Sequence, residues 1–339
     1  VAAARPAPRP KTLAPNPFSP PICLYGNVVV EVGGEAQVPV GTISNNTGRP
    51  IEIREIRFSA DSGDATYNFA NLGGALQASI SIGGRPVVRD PAPLWSLGRL
   101  ENVVGQTLVT TINATTAMQY VWRLSRPLLL PPRCEISVKF VHPGIVNFAI
   151  TGHVALLGRY VDRSDRVTAI PYVLAWRSKN VGIAAATDES DEKTLANTIG
   201  RAFQIDRIIA RHAVLNSGSG AHISTNSALA FHDGRGQAYP GGLHGVVAPA
   251  LGLLRLKLAT SRNWQIIGKP TPIWDVFGMS GALEVPHVLP PGDFFKAYVQ
   301  YYATDPELSI TPNFAPAAPT TYQHALHLSF VGWREDTIL

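Results

Sequence analysis

Cysteine is nearly absent from this chain: two in 339 residues, Cys23 and Cys134. They lie far apart without metal-ligand spacing, which excludes a disulfide scaffold or a zinc finger. The expectation is two free, buried thiols in a protein made in a reducing cytoplasm. Long apolar runs are missing as well. The best, residues 246–258, is interrupted by Arg255 and Lys257, short of the roughly 20 residues a membrane helix needs. The first residues lack the apolar core of a signal peptide, so export by that route is not expected. Amphipathic helical patterns are scarce; the one candidate is 190–198, with Asp191 and Glu192 near its start. Also absent are a Gly-x-Ser-x-Gly elbow, a phosphate loop and an HExxH pair. Acidic residues number 24 and gather in loops, a poor basis for the paired carboxylates of glycoside chemistry.

What is present is a pattern that occurs twice. Asn45-Asn46-Thr47-Gly48-Arg49-Pro50-Ile51-Glu52-Ile53 lines up, 152 positions on, with Asn197-Thr198-Ile199-Gly200-Arg201-Ala202-Phe203-Gln204-Ile205. Pro127-x-x-Leu130-Pro131-Pro132 recurs 159 positions on as Pro286-x-x-Leu289-Pro290-Pro291, and Leu157-Gly158-Arg159 matches Val331-Gly332-Trp333. Three anchors in one order mark two copies of a unit of about 150 residues. In the first repeated strand the apolar parity switches from Ile51 and Ile53 to Ile56 and Phe58; in the second, from Phe203 and Ile205 to Ile208 and Ala210. Strand side chains alternate faces, so each switch predicts a β-bulge.

Between the anchors the chain consists of short apolar runs punctuated by Gly, Pro, Asn and Asp, the all-β signature. Strands are predicted at 28–30, 77–82, 135–141, 154–157, 205–209, 228–232, 294–302 and 325–331. The strand at 294–302 carries apolar or aromatic residues on both faces, which predicts cover on both sides. Gly83-Gly84-Arg85 and Gly234-Arg235-Gly236 read as corresponding hairpin turns. Residues 305–322, rich in proline, read as a long ordered surface loop. The nine histidines offer no metal spacing; His222 and His232 are a weak cross-hairpin pair, and His324 and His327 face opposite sides of a strand. Asp61-Ser62-Gly63-Asp64 reads as a turn, and the acidic run 188–192 as solvated. Trp95, Trp122, Trp176, Trp264, Trp274 and Trp333 fit core and interface packing better than sugar stacking. No catalytic residue, metal ligand or cofactor site is expected.

Residues 1–22 are dense in proline, which excludes helix and central strand and predicts an extended arm. Arg5, Arg9 and Lys11 stand in it with no acidic residue before Glu31. They are candidate contacts for nucleic acid, anionic lipid or an acidic neighbour. The division expected is an arm over 1–23, a first jelly roll over 24–180, a linker with a short helix over 181–196 and a second jelly roll over 197–339.

Two tandem β-sandwiches of this length point to jelly rolls. The paired bulged strands, the two Pro-x-x-Leu-Pro-Pro elements and the basic proline-rich arm together resemble the double jelly-roll major capsid proteins of the adenovirus-type lineage. Those of icosahedral bacteriophages with an internal membrane are the nearest in pattern. The resemblance implies a structural protein of the virion shell, made in the host cytoplasm. Its homotrimers, pseudo-hexagonal in outline, would tile an icosahedral capsid beside penton or minor capsid proteins. It further implies that the 305–322 loop forms a tower or intersubunit contact. Arg5, Arg9 and Lys11 would face inward, toward membrane, genome or a neighbouring trimer. The alternatives are a decoration, vertex or glycan-binding receptor protein of a phage and, further off, a two-jelly-roll glycan-processing enzyme. The enzyme would require an acidic or metal cluster between the units.

Overall fold

The computed structural model describes residues 20–61, 76–102, 118–144, 148–161, 167–182, 189–216, 253–262, 264–277, 282–303, 306 and 322–337. The first half contains β1 (Pro21–Val30), β2 (Glu35–Gln37), β3 (Ile51–Asp61), β4 (Gln77–Ile82) and β5 (Arg85–Pro93). A 3-10 turn at Leu94–Ser96 follows, then β6 (Arg99–Asn102), β7 (Met118–Leu130), β8 (Ile136–Val141) and β9 (Ile150–Tyr160). The second half contains β10 (Val167–Arg177), β11 (Val181–Gly182), β12 (Glu189–Ala196), β13 (Phe203–Asn216), β14 (Leu254–Thr260) and β15 (Gln265–Pro272). A short helix α1 (Ile273–Phe277) precedes β16 (Ala282–Leu289), β17 (Phe294–Tyr301) and β18 (Tyr322–Thr337).

Strand order shows the duplication directly. The first half forms the sheets β1-β9-β3-β7, with β6 appended, and β2-β8-β4-β5; the second forms β10-β18-β13-β16 and β12-β17-β14-β15. Leaving out the small strands β6 and β11, each half pairs its first, eighth, third and sixth strands in one sheet and its second, seventh, fourth and fifth in the other. That is the eight-stranded jelly roll, met twice. Each roll packs its two sheets around its own core: Ile53, Phe58, Trp122 and Phe140 in roll one, and Phe203, Leu256, Phe295 and Phe330 in roll two.

The three sequence anchors converge on one structural knot in each roll. Asn45 and Asn197 are buried and close the same ring of backbone groups. Asn45 Nδ2 donates to the carbonyls of Arg49 at 2.9 Å, Leu130 at 3.1 Å and Pro131 at 2.9 Å. Asn197 Nδ2 donates to those of Arg201 at 2.8 Å and Leu289 at 2.7 Å. The Leu-Pro-Pro elements thus supply acceptors to the Asn of the first anchor, where proline amides could supply no donor. The predicted bulges fall between Ile53 and Glu55 and between Ile205 and Arg207. Opposite them, Ile53 pairs with Gly158 and Ile205 with Gly332. A Cβ on either glycine would lie 2.1 Å from the Glu52 carbonyl oxygen or 1.9 Å from that of Gln204. The repeat therefore preserves the positions where the backbone itself leaves no choice.

Several expectations need correction. Residues 189–196 form strand rather than helix: β12 pairs with β17 from Glu189 opposite Tyr301 to Ala196 opposite Phe294. That tertiary ladder outweighs the local helical pattern. The stretch taken as the end of the first roll, β10, hydrogen-bonds along its length to β18, so it is the first strand of roll two and the division falls between Val161 and Val167. The first roll also begins earlier than residue 24, because β1 starts at Pro21 as an edge strand, where proline is tolerated. Cys134 is a buried free thiol, but Cys23 is exposed on β1. Burial pushes the Cys134 thiol up to about 11. The hairpin that corresponds to Gly83-Gly84 joins β14 to β15 after Thr260; Gly234–Gly236 and the strand expected at 228–232 lie outside the described residues.

The doubly covered strand is β18 rather than β17. On β17 Phe295, Ala297, Val299 and Tyr301 are buried, while Phe294, Tyr298 and Gln300 are only half-buried and Lys296 is exposed. From Ala325 to Val331, by contrast, every residue of β18 is buried. The cause is a joint between the rolls. β5 lies parallel to β10, with Val88 opposite Val173, which fuses sheets of both rolls into one. Roll one's core then extends over the outer face of roll two's sheet, taking in Ile170, Val173, Ile209, Ala325 and Val331.

Candidate functional site

The joint between the rolls is the most elaborate polar surface of the described structure. Trp95, carried by the 3-10 turn after β5, is buried, and its indole Nε1–H donates to His327 Nδ1 on β18 at 2.7 Å. The rings lie 5.2 Å apart. Arg211 of β13 donates to the Trp95 carbonyl at 3.4 Å, and Arg334 donates to that of Pro86 at 3.1 Å while facing the Tyr172 ring. At the rim the Arg126 guanidinium sits 4.0 Å from the Trp333 ring centroid. Ser125 donates to Asp206, the bulged residue of β13, at 2.5 Å. Burial raises the Asp206 carboxyl above its ordinary range, opposed by the Ser125 hydrogen bond and by Arg207.

This chemistry locks two bodies together. Planar guanidiniums satisfy carbonyls and stack on aromatic faces, and the apolar sheet beneath supplies the burial. Among the described residues the joint is rich in arginine and aromatic rings. Among the described residues no group of three or more His, Cys, Asp or Glu is placed to hold a metal ion.

Roll one presents the matching sheet, β1-β9-β3-β7, without such cover from the rest of the described chain. Tyr25 and Val29 on β1 are 50% and 55% exposed, and Val32 just beyond it 47%. Across the sheet Tyr25 Oη bonds His153 Nδ1 at 2.7 Å, and His153 Nε2 meets Asp61 Oδ2 at 2.7 Å. Arg54 and Arg159 both reach Glu52, at 2.6 and 3.2 Å, and Arg57 pairs with Glu55. Tyr25, His153 and Asp61 form a hydrogen-bonded run, but on an open sheet face, where water competes for each group.

Three shallow concavities lie elsewhere among the described residues. One of about 400 Å³ lies between Glu192, Lys257, Lys296 and Tyr298 on the outer face of β12-β17-β14-β15. Another of about 300 Å³ occupies the corresponding face of roll one, between Ser79, Ser137, Lys139 and Arg89. The third, also about 300 Å³, is bordered by Trp264, Arg262, His287 and Asp293. Burial lowers the His287 imidazole there, and Arg262 lies 3.6 Å from Asp293.

The candidate contacts Arg5, Arg9 and Lys11 lie outside the described residues, as do His222, His232 and nearly all of 305–322. Sequence reasoning missed the importance of Trp95, although a signal existed. Pro91-Ala92-Pro93-Leu94-Trp95-Ser96 recurs as Pro270-Thr271-Pro272-Ile273-Trp274-Asp275. Its offset of 179 is larger than those of the anchors on either side of it, so it stands outside the steady growth of offsets that the anchors show.

No family model matches the sequence, and no curated protein matches it. Among solved structures the chain is similar to VP54 of PBCV-1, from a crystal structure fitted into a cryo-EM reconstruction of the virophage Sputnik. The identity is 14% and the TM-score 0.48, over 96% of each chain. It is also similar to the major capsid protein P2 of bacteriophage PM2, at 9% identity and a TM-score of 0.37, over 92% of this chain and 97% of that one.

Proposed function

We propose that this chain is a structural capsid protein whose homotrimers, six jelly rolls in outline, tile an icosahedral virion shell. One observation carries the reading: a single chain already makes one roll-to-roll joint, and its described residues leave the corresponding sheet of its other roll uncovered. A unit with one joint made and its counterpart surface open associates head to tail, and such contacts close into rings when the rotation permits. Two rolls per chain and three chains give the six-sided outline that packs a surface. On this reading the partners are other copies of the chain and the shell's penton or minor proteins. Arg5, Arg9 and Lys11 then face membrane or genome on the inner side. The protein works by contact rather than catalysis.

The native mass by light scattering, over a range of concentration and salt, tests this. A stable trimer that grows into closed or sheet-like assemblies is the expected result; a monomer under every condition overturns the proposal. Copies per particle separate a main shell protein from a decoration protein. A second reading, a glycan-binding virion module, is favoured by Trp264, which is 61% exposed beside Arg262, His287 and Asp293. Binding on a glycan array that Trp264→Ala abolishes would establish it.

A further inference from the structure

We infer that the free edge of β1, with the sheet face beside it, receives the β15–α1 corner of a second copy of this chain. The docking repeats the geometry by which β5 and its turn sit on β10 and β18 within one chain. The inference deepens the capsid reading and rests on it for closure of the ring.

The correspondence is fixed residue by residue through the hydrogen-bond registers. Val88 stands opposite Ile80 in roll one, and Ile267 stands opposite Leu258 in roll two. Tyr172 pairs with Gly332, and Ile22 with Gly158, so the next residues, Val173 and Cys23, are equivalent. The joint within the chain sets Val88 against Val173; its repeat between copies sets Ile267 against Cys23. His327 lies five residues before Gly332, and His153 lies five before Gly158. α1 follows β15 as the 3-10 turn follows β5, so the repeat brings α1 of one copy to the face bearing the partner's His153.

Two independent features of the surface agree with this docking. Among the described residues six large apolar side chains are exposed: Tyr25, Val29 and Val32 on or just after β1, Trp264, which immediately precedes β15, and, elsewhere, Val40 after β2 and Val288. Four of the six therefore sit on or beside the two strands that the docking would join. The edges differ in the same sense. Edge strands are ordinarily guarded by charge, proline or a bulge, and β12 follows that rule with Glu189, Asp191, Glu192 and Lys193. β1 is ten residues long, pairs with β9 without a register shift, and has no charged residue between Pro21 and Val30. Its one proline stands at its first position. An unguarded apolar edge of that length fits a partner strand better than water. β15 carries Pro270 and Pro272, but so does β5 carry Pro86, Pro91 and Pro93, and β5 makes the joint within the chain.

Cys23 provides the test. In the full-length chain carrying Ile267→Cys, mild oxidation of the associated protein is expected to link Cys23 of one copy to the thiol introduced at position 267 of the next. Denaturing gels should then show a covalent ladder ending at three chains, and the added replacement Cys23→Ser should abolish it. Because Ile267 is buried, a second variant avoids any question of folding: Cys23→Arg, at an exposed position. It should weaken association by at least about 100-fold, as loss of a central interface contact does, with an unchanged melting temperature. Cys23 in the wild-type chain should react with a maleimide when dilute and become protected as the chain associates. If the wild type associates, yet the Ile267→Cys chain forms no such link and Cys23→Arg is tolerated, this docking is overturned and the capsid reading stands. A wild-type chain that stays monomeric overturns both. A Cys23 protected even in the monomer means that the chain's own residues cover the edge, and likewise overturns the docking.

Discussion

The two rolls share eight strands and the order in which they pair, yet the same sheet is dressed differently in each. In roll two the outer face of β10-β18-β13-β16 carries Val173, Ile209, Ala325 and Val331, with Arg211 and His327 buried among them. In roll one the corresponding face carries Cys23, Tyr25, His153, Asp61 and a ladder of Arg–Glu pairs. The backbone plan is common and the covering is local. Besides a few core residues such as Ile53/Ile205 and Ile56/Ile208, what the copies keep identical are the places where backbone geometry dictates the residue: a buried Asn, a bulge, a glycine facing it and a Pro-Pro corner. Side chains facing a neighbour have followed that neighbour.

The strongest way to break this comparison is to place a methyl group on Gly158 or Gly332. Either Cβ would collide with a backbone carbonyl, at 2.1 Å from Glu52 and 1.9 Å from Gln204, and no rotamer relieves a clash with main chain. Gly158→Ala and Gly332→Ala should each cost upwards of about 4 kcal/mol in urea unfolding. Gly332→Ala should also loosen the joint, because β18 forms its floor. A loss under about 1 kcal/mol at either site would mean that the two knots are not equivalent.

Next in size are the asparagines. Asn45→Ala strips donors from the carbonyls of Arg49, Leu130 and Pro131, and Asn197→Ala from those of Arg201 and Leu289. Orphaned buried acceptors cost about 1–3 kcal/mol each before relaxation, so a loss of roughly 2–4 kcal/mol is expected for each variant. Asn→Asp should be no milder, since a carboxylate cannot donate. Equal losses in the two rolls would sharpen the comparison, and a harmless change in one would end it.

Acid separates the rolls. His212 on β13 is fully buried in roll two and held down to about 3 by desolvation; the matching position in roll one, counted from the Asn anchors, is the buried Ala60. A histidine whose folded pKa is depressed contributes stability above its unfolded value near 6.5 and loses it as pH falls toward the folded value. Below that upper limit the unfolded chain binds the proton and the folded one does not. The stability attributable to His212 should therefore fall by roughly 1.4 kcal/mol per pH unit between about 6.5 and 3, or about 2 kcal/mol by pH 5. His142 in roll one is lowered by burial as well, so the readout is the difference between wild type and His212→Ala in urea midpoint against pH. An unchanged slope in the variant would refute the assignment.

How much of this was legible beforehand depends on whether the information was local. The bulges could be read because the parity switch at Ile53/Ile56 and Ile205/Ile208 is written in consecutive residues, and the strand at 77–82 falls where its alternation puts it. The helix expected over 190–198 rests on Asp191 and Glu192 as a helix start, while the true determinant of β12 is the ladder to β17, about a hundred residues away. β10 follows the first roll in sequence but pairs with β18, some 160 residues on; no local pattern carries that choice. The joint was invisible for the same reason. The burial of Val173 against a neighbour, and the exposure of its counterpart Cys23, depend on which surface has been covered rather than on the strand's own alternation.

The smallest effect tests the finest point of the comparison. After each Leu-Pro-Pro element the chain turns back, with Cys134 N bonding the Pro131 carbonyl at 3.2 Å and Asp293 N bonding that of Pro290 at 3.1 Å. The residue before each of those amides has positive φ: Gly292 at 82° and Arg133 at 62°. Roll two fills a left-handed position with the residue made for it, and roll one does not. The left-handed region costs a residue with a Cβ about 1–2 kcal/mol, while replacement by glycine returns about 0.4–1 kcal/mol of freedom to the unfolded chain. Arg133 is exposed, so Arg133→Gly should stabilise roll one by a net of about 0.5 kcal/mol. In Gly292→Ala the strain enters and the entropy gain only partly offsets it, so roll two should weaken by a similar amount. Opposite signs at two equivalent turns, read as shifts in urea midpoint at constant slope, would show that the rolls share this corner down to a single dihedral angle; equal signs would show that the corners are held differently.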